Sequence, residues 1–190
     1  KKYKHLIVSP HSTYSTFLKL IDNEINNFKE GKPARIKMKL NSITNYKIID
    51  KLYEASSSGV KIDLIVRGVC CLIPGINGLS ENIKVISVID KFLEHSRIYI
   101  FENGGNKKIY LSSSDLMTRS FDNRVEVTFP IYSENLQNQI IDTFNISWTD
   151  NVKARLINTD SQNIFVSNNK KKNRSQVETY NYDNKYFLKK

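Results

Sequence analysis

The sequence predicts an α/β protein in which helices pack on a mixed β-sheet, and three observations support this. Short apolar runs, such as residues 60–66, alternate with segments whose apolar residues recur at helical spacing. The order strand, helix, strand, helix, strand at the start of the chain favours right-handed βαβ connections. Hydrophobic residues make up 39% of the 190 residues, which is enough for a buried core.

Strands and helices alternate in the first third of the chain. Residues 5–9 form a short apolar run closed by a proline, which predicts a strand. Residues 17–28 and 48–55 carry apolar side chains at helical spacing and each segment stops near a glycine, so both are predicted helices. Residues 34–40 alternate apolar and basic side chains, which predicts a half-buried strand with a basic outer face, and residues 60–66 form a further strand.

Strands dominate the next part of the chain. Residues 83–89 and 96–101 are apolar runs that predict strands, and an Asn-Gly-Gly turn after the second predicts a hairpin with residues 108–112. Many β-branched residues predict another strand over 124–130. Apolar residues return at helical spacing over 133–148, which predicts a third helix.

The composition changes near residue 158, so we expect one domain over residues 1–157 and a polar, basic tail over 158–190. The tail is rich in Asn, Ser and Lys and contains the run Lys170–Lys172. A segment of this kind is predicted to be extended, or to become ordered only by docking onto the rest of the protein.

The chain is strongly basic, since 29 Lys and Arg residues stand against 19 Asp and Glu residues, for a formal net charge of +10. Such a surface attracts polyanions, and charge alone does not choose among nucleic acid, an anionic membrane and a phosphate polymer. Cys70 and Cys71 are adjacent and are predicted to be small, buried, apolar residues, so we expect no disulfide and a reducing compartment. No apolar run approaches the roughly 18 residues that span a bilayer. The first residue is not Met, from which we expect a piece of a longer protein.

Familiar catalytic motifs are missing from the sequence. It has neither a Gly-x-x-x-x-Gly-Lys-Ser/Thr loop nor a Gly-x-Gly-x-x-Gly pattern, and no Cys/His group at zinc-ligand spacing. No pair of carboxylates is placed clearly enough to indicate glycosidase or two-metal chemistry. The remaining candidates are polar side chains at the ends of predicted strands.

His95 and Arg67 are the principal candidates. His95 opens a predicted strand beside Arg97, where a histidine can carry a phosphoryl group, transfer a proton or bond a phosphate oxygen; a purely structural role is the alternative. Arg67 lies just past another strand, at the carboxyl end where ligands gather in open α/β sheets, and Arg suits bidentate phosphate contact. The alternative is that Arg67 pairs with Asp63 or Glu54.

Other polar side chains also follow predicted strands. The further candidates for phosphate binding are Asn41, Ser114, Arg119 and Arg124. Hydroxyls and arginines can cradle a phosphate, but they are equally typical of a polar turn with its capping residues. If the sheet brings Lys39, Arg67 and Arg97 together, they form a groove for a polyanion; otherwise each is a solvated surface charge.

A more specific signal comes from several collinear segments. They are Leu52–Ser56, Gly59–Leu72, Pro74–Gly75, Leu79–Ile83, Phe92–Tyr99, Phe101–Gly105, Arg124–Val127 and Asp150–Arg155. Together these segments resemble the C-terminal part of the large polyphosphate kinases that act through a phosphohistidine. The similarity runs from Leu6 to Arg155 and continues more faintly through the tail.

The resemblance implies both a fold and a reaction. The family has an N-terminal helical domain, a head domain and two catalytic domains that resemble phospholipase D halves, and residues 1–157 resemble the last of these. The implied reaction is the reversible transfer of the terminal phosphate of ATP to polyphosphate. The phosphohistidine and the residues tied to Mg²⁺ belong to the preceding catalytic domain, so no metal ligands are expected here and the isolated domain is expected to be inactive.

The resemblance also implies roles and partners. Arg67 and His95 match the family's ATP-contacting arginine and second essential histidine, so Arg67 is expected to neutralise ATP phosphates, and His95 to contact phosphate or transfer a proton. The implied partners are ATP, ADP, polyphosphate, the other domains of the same enzyme and a homo-oligomer formed through regions mostly outside this chain; no nucleic acid is expected. The implied location is cytoplasmic, with a peripheral position at the inner membrane face as a further option.

The sequence also departs from two family patterns. Leu116 and Ser120 stand where polyphosphate kinases usually have Trp and Asn. The phospholipase D signature asks for His, Lys and Asp, whereas this chain has His95, Arg97 and Glu102 at those places, which argues against hydrolase chemistry of that kind. A phospholipase D-like phosphodiesterase and a basic nucleic-acid-binding module remain the alternatives.

Overall fold

A computed structural model describes residues 3–160 and 162–187 and contains one mixed eight-stranded sheet flanked by helices, so the predicted fold class is confirmed. The strands are β1 (Ile7–Val8), β2 (Arg35–Leu40), β3 (Lys61–Val66), β4 (Ile83–Val88), β5 (Arg97–Phe101), β6 (Lys108–Ser112), β7 (Val127–Pro130) and β8 (Ala154–Ile157). The helices are α1 (Thr13–Lys29), α2 (Tyr46–Ser57), α3 (Thr118–Asp122), α4 (Glu134–Trp148) and α5 (Ser175–Phe187).

The order of strands across the sheet is β1-β7-β6-β5-β2-β3-β4-β8. Strands β2, β3 and β4 are parallel, and α2 connects the first two as the predicted βαβ unit. Strand β5 runs antiparallel to β2, with Lys39 opposite Ile98, and β6 runs antiparallel to β5, with Ser112 opposite Arg97. The ends of β2, β3 and β6 and the start of β5 therefore lie along one edge of the sheet, which we call the strand-end edge.

Hydrophobic cores cover both faces of the sheet. On one face α1 and α2 pack over the central strands, and the ring of Phe17 meets Tyr99 edge-to-face with centroids 4.7 Å apart. On the other face α4 places Phe144 against the sheet in a smaller cluster. The start of α2 is set locally, because the Asn45 side chain accepts a hydrogen bond from the Ile48 N–H at 3.1 Å.

The basic outer face predicted for β2 is only partly open to solvent, because α4 covers Lys37 and Lys39 while Arg35 stays exposed. Lys37 Nζ donates to Asn145 Oδ1 at 3.1 Å and Lys39 Nζ donates to Ser147 Oγ at 2.9 Å. Lys39 is only 7% exposed. A lysine can lie here because its apolar stem packs on the sheet while its ammonium group finds polar partners on the helix.

Other local predictions also differ from the structure. Cys71 is exposed and Cys70 only partly buried, so the prediction that both are buried is wrong. The elements α3, β8 and α5 were not expected; the first two are too short to show a periodicity. Within residues 3–160 and 162–187, no helix combines the length and the apolar character that crossing a bilayer requires.

The segment that the sequence predicts to be extended or ordered by docking contains α5. This helix lies against α4, where Tyr182 donates its hydroxyl hydrogen to Asp142 Oδ2 at 2.7 Å and the Tyr186 hydroxyl bonds Asn135 Oδ1 at 2.6 Å. The apolar residues of α5 form no strong helical stripe, which is why the sequence pattern does not reveal it.

Candidate functional site

Side chains from four strand ends meet at the strand-end edge. We call Asn41, Arg67, His95, Arg97 and Asp115 the strand-end site. Asn41 follows β2 and Arg67 follows β3. His95 precedes β5, Arg97 is its first residue, and Asp115 follows β6. The antiparallel placement of β5 and β6 brings these residues together although they are far apart in the chain.

A buried ion pair between Arg97 and Asp115 forms the base of the site. Arg97 donates from Nη2 to Asp115 Oδ2 at 2.8 Å and from Nε to Oδ1 at 3.2 Å, and the two side chains are 8% and 9% exposed. Asp115 Oδ1 also accepts the backbone N–H groups of Asn41 and Ser42, at 2.8 and 3.2 Å. Burial alone would lower the pKa of Arg97, but the hydrogen bonds and charge of Asp115 outweigh it and raise that pKa. The pair thus ties together the ends of three strands.

Arg97 also fixes the orientation of His95. Its Nη1 lies 3.0 Å from His95 Nδ1 and its Nη2 lies 2.9 Å from Nε2, while Nη1 donates to the His95 carbonyl oxygen at 2.9 Å. An imidazole has at most one acceptor nitrogen, so at most one of the two ring contacts is a hydrogen bond donated by Arg97. His95 itself is exposed, which leaves an oriented ring open to an incoming ligand.

Arg67 reaches the same region from the end of β3, which β2 separates from β5 in the sheet. Its Nη1 donates to the Glu94 carbonyl oxygen at 2.8 Å, directly before His95. The alternative that Arg67 pairs with Asp63 or Glu54 is not realised, because Asp63 binds Arg35 and Glu54 binds a lysine of its own helix. Within the part of the chain that the structure describes, the Arg67 guanidinium has no acidic partner.

The groove of three cations predicted from Lys39, Arg67 and Arg97 is only partly realised. All three lie at the strand-end edge, but the ammonium group of Lys39 pairs with Glu94 and the guanidinium of Arg97 pairs with Asp115. Both pairs are largely buried, so neither cation is offered to a ligand as a free charge. Of these three cations, Arg67 is the one that has no acidic partner among the residues that the structure describes.

Ser114 does not face the site as a phosphate ligand would, so this prediction is corrected. It is 1% exposed and its Oγ donates to the Asp115 carbonyl oxygen at 3.0 Å. Asn41 is partly buried, and its Oδ1 finds no hydrogen-bond partner among the described residues. The backbone carbonyl oxygen of Asn41 accepts from the Gly68 N–H at 2.7 Å, which holds the turn after β3 against the end of β2.

Arg119 and Arg124 lie beyond the ion pair, on and just after α3, and both are exposed. Glu94, which the sequence pattern does not single out, binds Lys39 through its side chain and Arg67 through its carbonyl oxygen. Its position directly before His95 is the one feature of the sequence that indicates a place in the site.

Among the described residues, no candidate metal centre lies at this site, and a cavity of about 960 Å³ lies elsewhere. In residues 3–160 and 162–187, no group of three or more His, Cys, Asp or Glu side chains could hold a metal ion. The cavity lies beside residues 3–7 and 130–132, and its lining includes none of the residues of the strand-end site.

Comparison with known proteins identifies the family. The family model described as "Polyphosphate kinase C-terminal domain 2" matches residues 6–176. The chain belongs to this family. A polyphosphate kinase from Vibrio parahaemolyticus is 49% identical over 182 residues, which cover 95% of this chain and 26% of that protein. The chain thus spans about a quarter of the length of the curated polyphosphate kinases it matches.

Solved structures agree with the assignment. The polyphosphate kinase of Porphyromonas gingivalis superposes with a TM-score of 0.96 at 38% identity, covering 100% of this chain and 29% of that one. The phospholipase D family member Nuc from Salmonella typhimurium superposes with a TM-score of 0.60 at 16% identity, covering 81% of this chain and 97% of that one. The second match supports the fold alone. The predicted resemblance to the polyphosphate kinases and the phospholipase D-like architecture are both confirmed.

This polyphosphate kinase domain does not gather the phospholipase D signature at one place. His95 and Arg97 lie at the strand-end edge, whereas Glu102 follows the opposite end of β5. There Glu102 pairs with Lys107 at 2.8 Å. Its carboxylate is therefore separated from the histidine by the length of a strand.

Proposed function

We propose that this chain forms part of a polyphosphate kinase, which transfers the terminal phosphate of ATP reversibly to polyphosphate, and that it contributes phosphate-contacting groups. Membership in the domain family supports this, as do curated relatives that are 45% and 49% identical and are named polyphosphate kinase. The observation that carries the proposal is the joint position of Arg67 and His95. One is a cation without an acidic partner among the described residues, the other an exposed, oriented imidazole, and the Arg67–Glu94 hydrogen bond links them.

Phosphoryl transfer depends mainly on positioning and on neutralising the charge of the transferred group. In our proposal Arg67 donates to phosphate oxygens of ATP with the guanidinium N–H groups that do not bind Glu94. His95 bonds a phosphate oxygen, or passes a proton to or from the oxygen that leaves or enters. Arg97 and Asp115 act indirectly, by holding the ring of His95.

The remaining groups form the surroundings of this phosphate site. Arg119 and Arg124 are exposed and offer guanidinium groups to the polymer, while the amide of Asn41 lies at its base. Ser114 takes no direct part in the proposal, because its hydroxyl is buried and bonded. Tyr182 and Tyr186 bind α4 with their hydroxyls, which argues against the aromatic and basic face that a nucleic-acid module would present.

The reaction also needs groups from outside this chain. We propose that the phosphohistidine forms on the preceding catalytic domain of the longer enzyme, which also holds Mg²⁺. The described residues here do not form a ligand set for Mg²⁺, so we assign no step of the metal to them. We further propose a cytoplasmic enzyme that oligomerises through its other regions, and a division into a catalytic domain over 1–157 and a basic tail over 158–190.

Isothermal titration of the 190-residue chain with tripolyphosphate and with ATP tests the proposal. Arg67→Ala and His95→Ala, made separately, should each weaken binding by about tenfold or more, since hydrogen bonds to charged groups contribute roughly 1.5–3 kcal/mol. Lys61→Ala is the matched control, because it removes an exposed cation from the opposite end of β3.

Two results would contradict the proposed site. The first is binding that Arg67→Ala and Lys61→Ala weaken equally. The second is binding that a DNA oligonucleotide of matched charge reproduces at the same salt concentration, since counterion release alone treats the two polyanions alike.

A further inference from the structure

The C-terminal segment reaches back to the loop that carries His95. This loop, residues 89–96, joins β4 to β5 and has no regular secondary structure. The segment Asn173–Gln176 contacts the loop and the end of α4, although Gln176 lies 84 residues after Phe92 in the chain. We propose that Gln176 and Arg174 form a strap that positions the His95 loop, and through it both His95 and Arg67. The catalytic relevance of the strap rests on the proposed function.

Gln176 forms the central contact of the strap. Its side-chain Oε1 accepts the Phe92 N–H at 2.9 Å, and its Nε2 donates to the Phe92 carbonyl oxygen at 2.7 Å. The same Nε2 also lies 3.1 Å from Glu94 Oε1. One amide side chain thus satisfies both backbone groups of Phe92, as a neighbouring strand would, although no strand is present at this point.

Arg174 fixes the base of the same loop. Its Nε and Nη2 donate to the two carboxylate oxygens of Asp90, both at 2.7 Å, and the Asp90 side chain is 3% exposed. A bidentate pair of this kind fixes direction as well as distance. With Asp90 held at one end and Phe92 to Glu94 at the other, the strap holds most of the loop that leads to His95.

The residues beside Arg174 and Gln176, namely Asn173 and Ser175, anchor the strap to the body of the domain. The Ser175 N–H donates to Asp150 Oδ2 at 2.7 Å, and Asp150 is fully buried. Asn173 Nδ2 donates to the Ile146 carbonyl oxygen at 3.0 Å and to Thr149 Oγ1 at 2.8 Å, at the end of α4. The strap therefore transmits the position of a rigid helix end to the loop.

The loop needs such support because its apolar side chains do not enter the core. Phe92 and Leu93 are 65% and 76% exposed, so burial contributes little to its order. Glu94 is the point where the contacts converge. Its carboxylate binds Lys39 and Gln176, and its carbonyl oxygen accepts from Arg67. A loop that moves at Glu94 therefore displaces both proposed phosphate-binding groups together.

The test compares Gln176→Ala and Gln176→Glu with the control Glu178→Ala in the 190-residue chain. Glu178 is exposed and lies in the same turn of α5, so its removal leaves the strap intact. The first readout is the imidazole NMR spectrum, which is easily assigned because the chain has three histidines. The second readout is the affinity for tripolyphosphate.

We expect Gln176→Ala to shift the His95 ring signals and to weaken tripolyphosphate binding by about fivefold or more, while the melting temperature falls by no more than about 4 °C. Gln176→Glu should have the larger effect, because it places a second carboxylate beside Glu94. The control should change neither readout.

Unchanged His95 signals in both Gln176 variants overturn the strap, whatever happens to binding. Shifted signals with unchanged affinity overturn its role in ligand binding. If the unaltered chain does not bind tripolyphosphate in an Arg67-dependent way, the proposed function fails instead; shifted His95 signals then still support a strap that positions the loop.

Discussion

Removing one partner of the Arg97–Asp115 pair should destabilise the whole domain. Asp115→Ala deletes the carboxylate that accepts from Arg97 and from the backbone N–H groups of Asn41 and Ser42. Both side chains of the pair are buried, so water cannot easily replace the lost contacts. Breaking a buried ion pair typically costs about 3–5 kcal/mol, because the remaining charge is left without a partner.

The same figure can be expressed as a change in melting temperature. For a domain of this size each kcal/mol lowers the midpoint by about 2–4 °C, so Asp115→Ala should melt about 6–20 °C below the unaltered chain. Asp115→Asn keeps the shape and one acceptor oxygen and should cost less, about 2 kcal/mol. Replacing both residues, as Arg97→Met with Asp115→Leu, should cost less than the sum of the two single changes, since no unpaired charge remains.

Urea unfolding measured by circular dichroism provides the free energies. The fluorescence of Trp148, the single tryptophan, gives a second probe on α4. The control is Glu30→Ala, which removes one partner of an exposed pair with Lys32 and should change stability by less than about 1 kcal/mol. A stabilising role for the buried pair is refuted if Asp115→Ala costs no more than this control, or if the double variant costs as much as the two single variants together.

Three further outcomes are expected. Burial alone would raise the pKa of Asp150, but hydrogen bonds from backbone N–H groups outweigh it and place the pKa below the usual 3.8. In urea titrations the stabilisation by Asp150 should therefore be fully present above pH 3.8 and lost as the pH falls through the lowered pKa. Asp150→Asn should lower the free energy of unfolding by roughly 3 kcal/mol at pH 7 and make it depend less on acid. Gly68→Ala should cost roughly 1–3 kcal/mol in the same assay, because a Cβ atom would lie 3.0 Å from the carbonyl oxygen of Asn41. Iodoacetamide at neutral pH should alkylate exposed Cys71 more than about tenfold faster than Cys70, because burial raises the pKa of the Cys70 thiol to about 11. Mass spectrometry of the digested chain measures both rates, and equal rates would contradict the burial of Cys70.

Local patterns in the sequence were sufficient for the fold class and for most of its elements. The spacing of apolar residues predicts α1, α2 and α4, and alternation or continuous apolar runs predict most strands, because these signals depend on which face of an element is buried. Arg67 and His95 were identified as candidates for a related reason. Residues that directly flank strands of such a sheet lie at its edge wherever the strands are placed.

The partners of the charged residues could not be predicted in this way. Lys39, Arg97 and Arg67 look alike in the sequence, yet two of them are paired and largely buried while the third has no acidic partner among the described residues. The Lys39–Glu94 pair joins residues far apart in the chain and depends on β5 lying beside β2, whereas the Arg97–Asp115 pair depends on the register of the β5–β6 hairpin. The same holds for the strap, because Gln176 meets Phe92 only after α5 has docked on α4. The spacing of apolar residues and the local composition describe only a segment and its nearest neighbours in the chain. The packing of distant segments determines which charged side chain is buried and which stays available to a ligand.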